Sequence, residues 1–294
     1  MKSANTRVMQ PVAGSEHDAP VASPTALSLE IKLNSGKTLE FRFSEAFVRF
    51  RASLQDIERL RSLHRDIGGP APGRRYGLEV INKSAIVLIT AIWEAFCEDL
   101  ASEALKLLVE NAEKADVLPK YLKQQIALEL RNDKNDLAVW KLTDDGWRNV
   151  MMTRLDQLRD KRNRRLNAPK SNVIDSLFLE AIGLDKISNC WELKKTSAID
   201  ARTKLDRYVE LRGAIAHRGT TTTPCRSSDV KDYVMHVRRL AGSMVVEVNR
   251  FVEKATGKKW HMHLFEFVEA HYPRDTNTQK MRQKLTTKRK SARL

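Results

Sequence analysis

Two side chains able to work on a phosphate group sit about one and a half helical turns apart in the run Arg212-Gly213-Ala214-Ile215-Ala216-His217. Read at about 100° per residue, Ala198, Ala201, Leu205, Tyr208, Val209, Leu211, Ile215 and Ala216 form one broad apolar face. Arg212 projects near the middle of that face, where a core helix ordinarily places Leu. A guanidinium there is costly to bury unless it is paired or lines a cleft. His217 is followed by Arg218-Gly219, and Gly is the usual residue just past a helix C-terminus. His217 is therefore expected in the last turn, free to swing towards Arg212. An Arg that holds a phosphodiester and a His that moves a proton make a minimal phosphotransfer pair. The bland alternative is a His interacting with the helix C-terminal dipole and an Arg satisfying a buried carboxylate.

Such a pair needs a rigid scaffold, and the sequence pattern predicts helices to supply it. Residues 76–115 read as one long helix, apolar on nearly every side between Ala85 and Cys97, so other helices must surround it. Its longest apolar run, 85–93, is followed by Glu94 and by Glu98-Asp99. A bilayer span needs about 20 apolar residues, so a core helix is expected and no membrane partner. Lys83, Thr90, Glu94 and Glu98 share one narrow stripe of it. That stripe is either the solvent side or the wall of a polar cleft in which Glu94 pairs with Arg212. Further helices are expected at about 45–67 (capped by Ser44), 119–131, 144–165, 173–182, 197–216 and 227–255, with connections that suit antiparallel packing. Upstream, Leu27, Leu29, Ile31 and Leu33 alternate, Asn34-Ser35-Gly36 carries turn chemistry, and Leu39, Phe41 and Phe43 alternate again: a β-hairpin that needs something to pack on.

The R-x4-H spacing resembles the signature of the HEPN ribonuclease superfamily. Further blocks resemble its RiboL-PSP-HEPN branch: residues 85–100 with Trp93-Glu94-Ala95-Phe96, the stretch from Leu166-Asn167-Ala168-Pro169 to Gly183-Leu184, Ile187 to Trp191, and Leu205 to Gly219. The likeness spans roughly residues 76–250. It implies a mainly α chain, an HEPN-type helical bundle with the small N-terminal β-hairpin attached. It also implies metal-independent RNA cleavage with no cofactor, in which the RNA's own 2′-OH attacks the adjacent phosphate. Arg212 and His217 would be catalytic, with Glu94 and Gly213 supporting them. Two departures stand out. Many relatives carry a polar residue, often Asn, where this chain has Gly213, and the modifiable Tyr of an R-x4-H-x-Y variant is absent because position 219 is Gly. Sites in this superfamily are commonly composite, with two motifs meeting across a dimer. With Arg212–His217 taken as the chain's one copy, a homodimer is the economical expectation. A toxin or phage-defence role, with an antitoxin or regulatory partner, completes what the resemblance implies.

Composition agrees with a polyanionic partner. Lys plus Arg number 52 against 37 Asp plus Glu, a formal charge of +15, which favours nucleic acid first, acidic membranes second and acidic proteins third. Lys161, Arg162, Arg164 and Arg165 form a basic run at an expected helix end, read either as a solvated face or, with Arg218, as phosphate contacts. Residues 274–294 hold eight basic side chains against Asp275 alone. The expected organisation is a disordered tail over 1–25, hairpin plus helix over 26–75, the helical domain over 76–256, a short extension over 257–273 with a strand near 260–268, and a disordered basic tail over 274–294. Cys97, Cys190 and Cys225 are widely spaced without a CxxC pair, which points to a reducing cytoplasm. No apolar leader follows Lys2 and Arg7. His261-Met262-His263 lacks a nearby Cys or carboxylate, so no metal site is expected, and P-loop, GxGxxG and GxSxG motifs are absent. A reading from another class stays open: a non-catalytic helical module that binds RNA or protein through its basic patches.

Overall fold

A computed structural model describes residues 28–32, 38–42, 44–68, 77–163, 168–192, 196–218 and 224–258. Seven α-helices account for most of them: α1 (Glu45–Gly68), α2 (Glu79–Asn111), α3 (Lys120–Arg131), α4 (Gly146–Asn163), α5 (Ser171–Ile182), α6 (Ala198–Arg218) and α7 (Ser227–Thr256). The expected 1–25 tail, the strand near 260–268 and the basic tail lie outside the described residues. Two short backbone stretches, Ser28–Lys32 and Thr38–Arg42, run antiparallel with Ser28 opposite Arg42. Their side chains and connecting residues are not described, so a packed N-terminal hairpin stays an expectation.

The apolar character of α2 dictates the architecture. It lies at the centre, with α1, α4, α5, α6 and α7 packed around it. Trp93, Phe96 and Leu100 are at most 2% exposed, which identifies α2 as a core helix despite having the length and apolarity to cross a bilayer. Aromatic side chains form the contacts: the Phe50 and Phe96 ring centroids lie 4.7 Å apart, and the Trp93 and Trp191 centroids 6.3 Å apart. Helix α1 supplies Phe47, Phe50, Leu54 and Ile57 to the same core. Its N-terminus is fixed by α2. The Glu103 carboxylate accepts from the Glu45 and Ala46 amides at 2.9 and 3.2 Å and from the Ser44 hydroxyl at 2.8 Å, meeting the positive end of the helix dipole.

Helix α6, which carries the R-x4-H run, is held from its outer side at three points. The Asp206 carboxylate accepts from the Ser171 amide (2.7 Å) and hydroxyl (2.9 Å) at the start of α5. Lys170 pairs with Glu210 at 2.8 Å. Arg202 donates to Ser188 Oγ at 2.6 Å, while the Ser188 amide and hydroxyl donate to the two oxygens of Asp175, each at 2.8 Å. These bonds fix the rotation of α6 and turn Ala201, Leu205, Tyr208 and Val209 into the core. Helix α5 itself stops at Gly183 (φ +75°), where an added Cβ would lie 2.8 Å from the Pro119 Cβ, so only glycine fits that left-handed close approach. Three 3-10 turns, Ala115–Val117, Ala138–Leu142 and Ile187–Trp191, complete the described elements.

Removing a central ring tests this arrangement. Trp93→Ala is expected to cost about 3–5 kcal/mol of unfolding free energy, because the cavity is walled by other helices. Trp140→Ala, at a side chain that is 69% exposed, should cost under about 0.5 kcal/mol. Urea denaturation giving equal losses for the two would contradict the central placement of α2.

Candidate active site

The stripe on α2 is not a solvent face. Thr90 is buried, donates its hydroxyl proton to the Ile86 carbonyl at 2.9 Å, and shares a 3.0 Å hydrogen bond with the Tyr233 hydroxyl of α7. With the threonine proton committed, Tyr233 is the donor in that bond. Tyr233 in turn stacks on Tyr208 of α6, with ring centroids 4.2 Å apart and planes 12° from parallel. The Tyr208 hydroxyl donates to Asp232 Oδ2 at 2.8 Å, and Lys204 pairs with the same carboxylate at 2.7 Å. Burial acts to raise Asp232, but these two hydrogen bonds outweigh it and hold the carboxyl below its usual range. A polar seam therefore runs between α2, α6 and α7, from the buried Thr90 and Tyr233 out to the exposed Asp232. The sequence reading missed Tyr208, Tyr233 and Asp232. The one signal available was that both tyrosines sit on apolar faces, where a buried phenol hydroxyl must find a partner.

Arg212 enters this seam from α6. The residue is half-buried and its Nε is enclosed. Its positive charge bears on both Glu94 and Tyr233. Glu94, also half-buried, is pushed up to about 6, first by burial, then by the like charge of Glu98, with Arg212 pulling the other way. Lys83, at the start of the stripe, pairs with Glu79 at 3.1 Å. The seam thus brings a guanidinium and a carboxyl that titrates near neutrality into one neighbourhood.

His217 is placed differently. Helix α6 continues through Arg218, two residues beyond the expected end, so His217 has helical geometry and is exposed. Five residues past Arg212, it lies about 140° around the helix and about 7.5 Å further along it. One helix end therefore offers a cation inside the seam and an imidazole on the solvent side. Gly213, half-buried between them, would carry a Cβ that meets nothing within 4 Å, so a side chain at that position has room.

The R-x4-H spacing also occurs at Arg59 and His64, which corrects the reading of Arg212–His217 as the chain's one copy. Burial separates the two. The Arg59 side chain is 76% exposed and pairs at 2.9 Å with Asp56 on its own helix. Spacing alone does not separate the two runs; the burial of the arginine does.

Of the basic residues read as phosphate contacts, Lys161 and Arg162 fall in the last turn of α4 and Arg218 closes α6, with their side chains outside the described residues; Arg164 and Arg165 lie outside them altogether. The cysteines are free thiols. Burial pushes Cys190 up to about 12 and Cys225 up to about 11, so neither is a thiolate nucleophile at neutral pH.

The coupling of Glu94 to Arg212 has a pH signature. A carboxyl raised in the folded state adds stability that is fully present below its unfolded value of 4.5 and is lost as pH rises through about 6. The melting temperature of the wild type relative to Glu94→Gln should therefore fall between pH 4.5 and 6 and level off above that. In an Arg212→Ala background the midpoint should move to higher pH, since the charge holding it down is gone. A flat difference, or a midpoint indifferent to Arg212, would contradict this geometry.

No curated protein and no solved structure matches the chain. The RiboL-PSP-HEPN family model matches residues 51–249, from within α1 to near the end of α7. The match takes in the central helix, the seam and the R-x4-H run of α6, and the chain belongs to the RiboL-PSP-HEPN family.

Proposed function

We propose that the protein is an endoribonuclease that cleaves RNA by intramolecular transesterification at Arg212 and His217. The observation that carries this reading is the half-buried Arg212 coupled to Glu94 on the helix whose last turn presents an exposed His217. The 2′-OH of the RNA attacks the adjacent phosphorus, the bond to the 5′-oxygen breaks, and the products carry a 2′,3′-cyclic phosphate and a 5′-OH. Arg212 offsets the negative charge that gathers on the five-coordinate phosphorus, and a preorganised donor of this kind is worth about 10²–10³ in rate. Glu94 orients Arg212 from within the seam. Two proton movements remain: one off the 2′-OH, one onto the leaving 5′-oxygen. A single His217 supplies one of them. The second comes from the partner's His217 in a two-fold dimer, which places a proton-transfer group on each side of phosphorus.

In this reading the substrate is RNA, no cofactor is required, and the site works in the cytoplasm without a membrane. The N-terminal hairpin is an appendage to the bundle, and the cellular role is a toxin or phage-defence effector restrained by an antitoxin or similar partner. A second reading is favoured by the wide angle between Arg212 and His217 and by Gly213: a non-catalytic module that binds RNA or protein through its basic surface.

Arg212→Ala and His217→Ala should each lower cleavage of a labelled RNA by at least about 10²-fold while circular dichroism stays helical, and the matching DNA should survive. Excess His217→Ala chains mixed with wild type should suppress activity through crippled heterodimers. Wild type that binds RNA without cutting it, or variants that cut as well as wild type, would favour the binding module.

A further inference from the structure

A hollow of about 240 Å³ opens between α6 and α7, lined by Lys204, Ser228, Lys231, Asp232, His236 and Arg239 among others. It is smaller than the about 300–1,000 Å³ that encloses a drug-sized ligand, so it fits a single charged group rather than a cofactor. Three of its side chains are cationic, and Asp232 offsets one of them through its ion pair with Lys204. Lys231 and Arg239 are exposed, and among the described residues neither makes an ion pair. His236 contributes no charge at neutral pH. It is 6% exposed, burial pushes it down to about 4, and its Nε2 donates to the Ala201 carbonyl at 3.0 Å. Its Nδ1 is left as an acceptor, while Ser228 adds a hydroxyl. The hollow is thus a cationic notch to which Ser228 adds a hydroxyl donor.

Its position relates it to the candidate active site. Lys204 precedes Arg212 by eight residues on α6, about 12 Å along the axis. The two are linked by contacts from Lys204 to Asp232, from Asp232 to the Tyr208 hydroxyl and from Tyr208 to Tyr233, whose hydroxyl feels the charge of Arg212. At roughly 3.4 Å per step, a strand held at Arg212 reaches the hollow within three or four nucleotides.

We propose that this hollow is a phosphate subsite that seats one backbone phosphate of the RNA through Lys231 and Arg239, a few nucleotides from the scissile bond. The inference takes its ligand from the ribonuclease reading. It adds a second anchoring point that sets how the strand lies along α6, and phosphate contacts of this kind position a strand without reading its sequence.

The test is binding of a fluorescently labelled, fully 2′-O-methyl RNA, which lacks the attacking hydroxyl and cannot be cut. Anisotropy titrations over a salt series compare wild type, Lys231→Ala/Arg239→Ala, and a charge-matched control, Lys106→Ala/Lys254→Ala, on exposed residues away from the hollow. The hollow variant should lose about tenfold in affinity and flatten the salt slope by about 0.7, the value for one neutralised phosphate on a single strand. The control should change less than about threefold. Equal losses in the two double variants, or no binding by wild type, would overturn the subsite. Cleavage of ordinary RNA is read separately: a hollow variant that loses binding while wild type never cuts leaves the subsite standing and removes the nuclease reading.

Discussion

Everything in this structure depends on the partners that α2 must find for its polar side chains. The helix is the core of the bundle, so each polar group it carries needs a specific match or carries a desolvation penalty of about 1–3 kcal/mol. Asn82 donates to the Cys225 carbonyl at 3.0 Å and so ties the chain just before α7 to the start of α2. Thr90 meets Tyr233, and Glu94 lies within the electrostatic reach of Arg212. These three positions fix where α7 begins, which face it presents, and where α6 crosses. The same demand that organises the core brings a guanidinium and a carboxyl within electrostatic reach of each other near a helix end.

That placement puts a structural requirement at the candidate site. A fully exposed Arg–Glu pair would be worth little, and a sealed one would be locked into the fold. Arg212 and Glu94 are each half-buried, so each keeps an accessible edge while burial pushes the Glu94 carboxyl towards its neutral form. The outer bonds through Asp206, Glu210 and Arg202 keep α6 from rotating. His217 therefore projects to solvent instead of folding back on Arg212. Within the transesterification account, a second chain is needed because one His217 moves one proton and the step requires two.

Much of this was legible in the sequence, and the rest failed for identifiable reasons. The all-round apolar character of residues 85–97 announced a central helix, and the seven helices appear within a few residues of their expected bounds. Arg212 on an apolar face announced a buried or cleft-lining charge. The Lys83, Thr90, Glu94, Glu98 stripe left two readings open, because periodicity reports which residues share a face but not what packs against it. The 3-10 turns escaped for a related reason: three to five residues are too few to show a period. Arg59 and His64 repeat the motif spacing, and only burial separates them from Arg212 and His217. The notch at Lys231 and Arg239 was invisible, since on a helix of mixed polarity those residues read as ordinary solvated charge.

The most direct measurement is the end chemistry of RNA incubated with the purified protein in the presence of a chelator. Mass spectrometry of the fragments should show a 2′,3′-cyclic phosphate on one side of the cut and a free 5′-OH on the other, at a rate the chelator leaves unchanged. Fragments bearing a 5′-phosphate and a 3′-OH, or cleavage that stops when divalent ions are removed, would contradict attack by the RNA's own hydroxyl at Arg212 and His217.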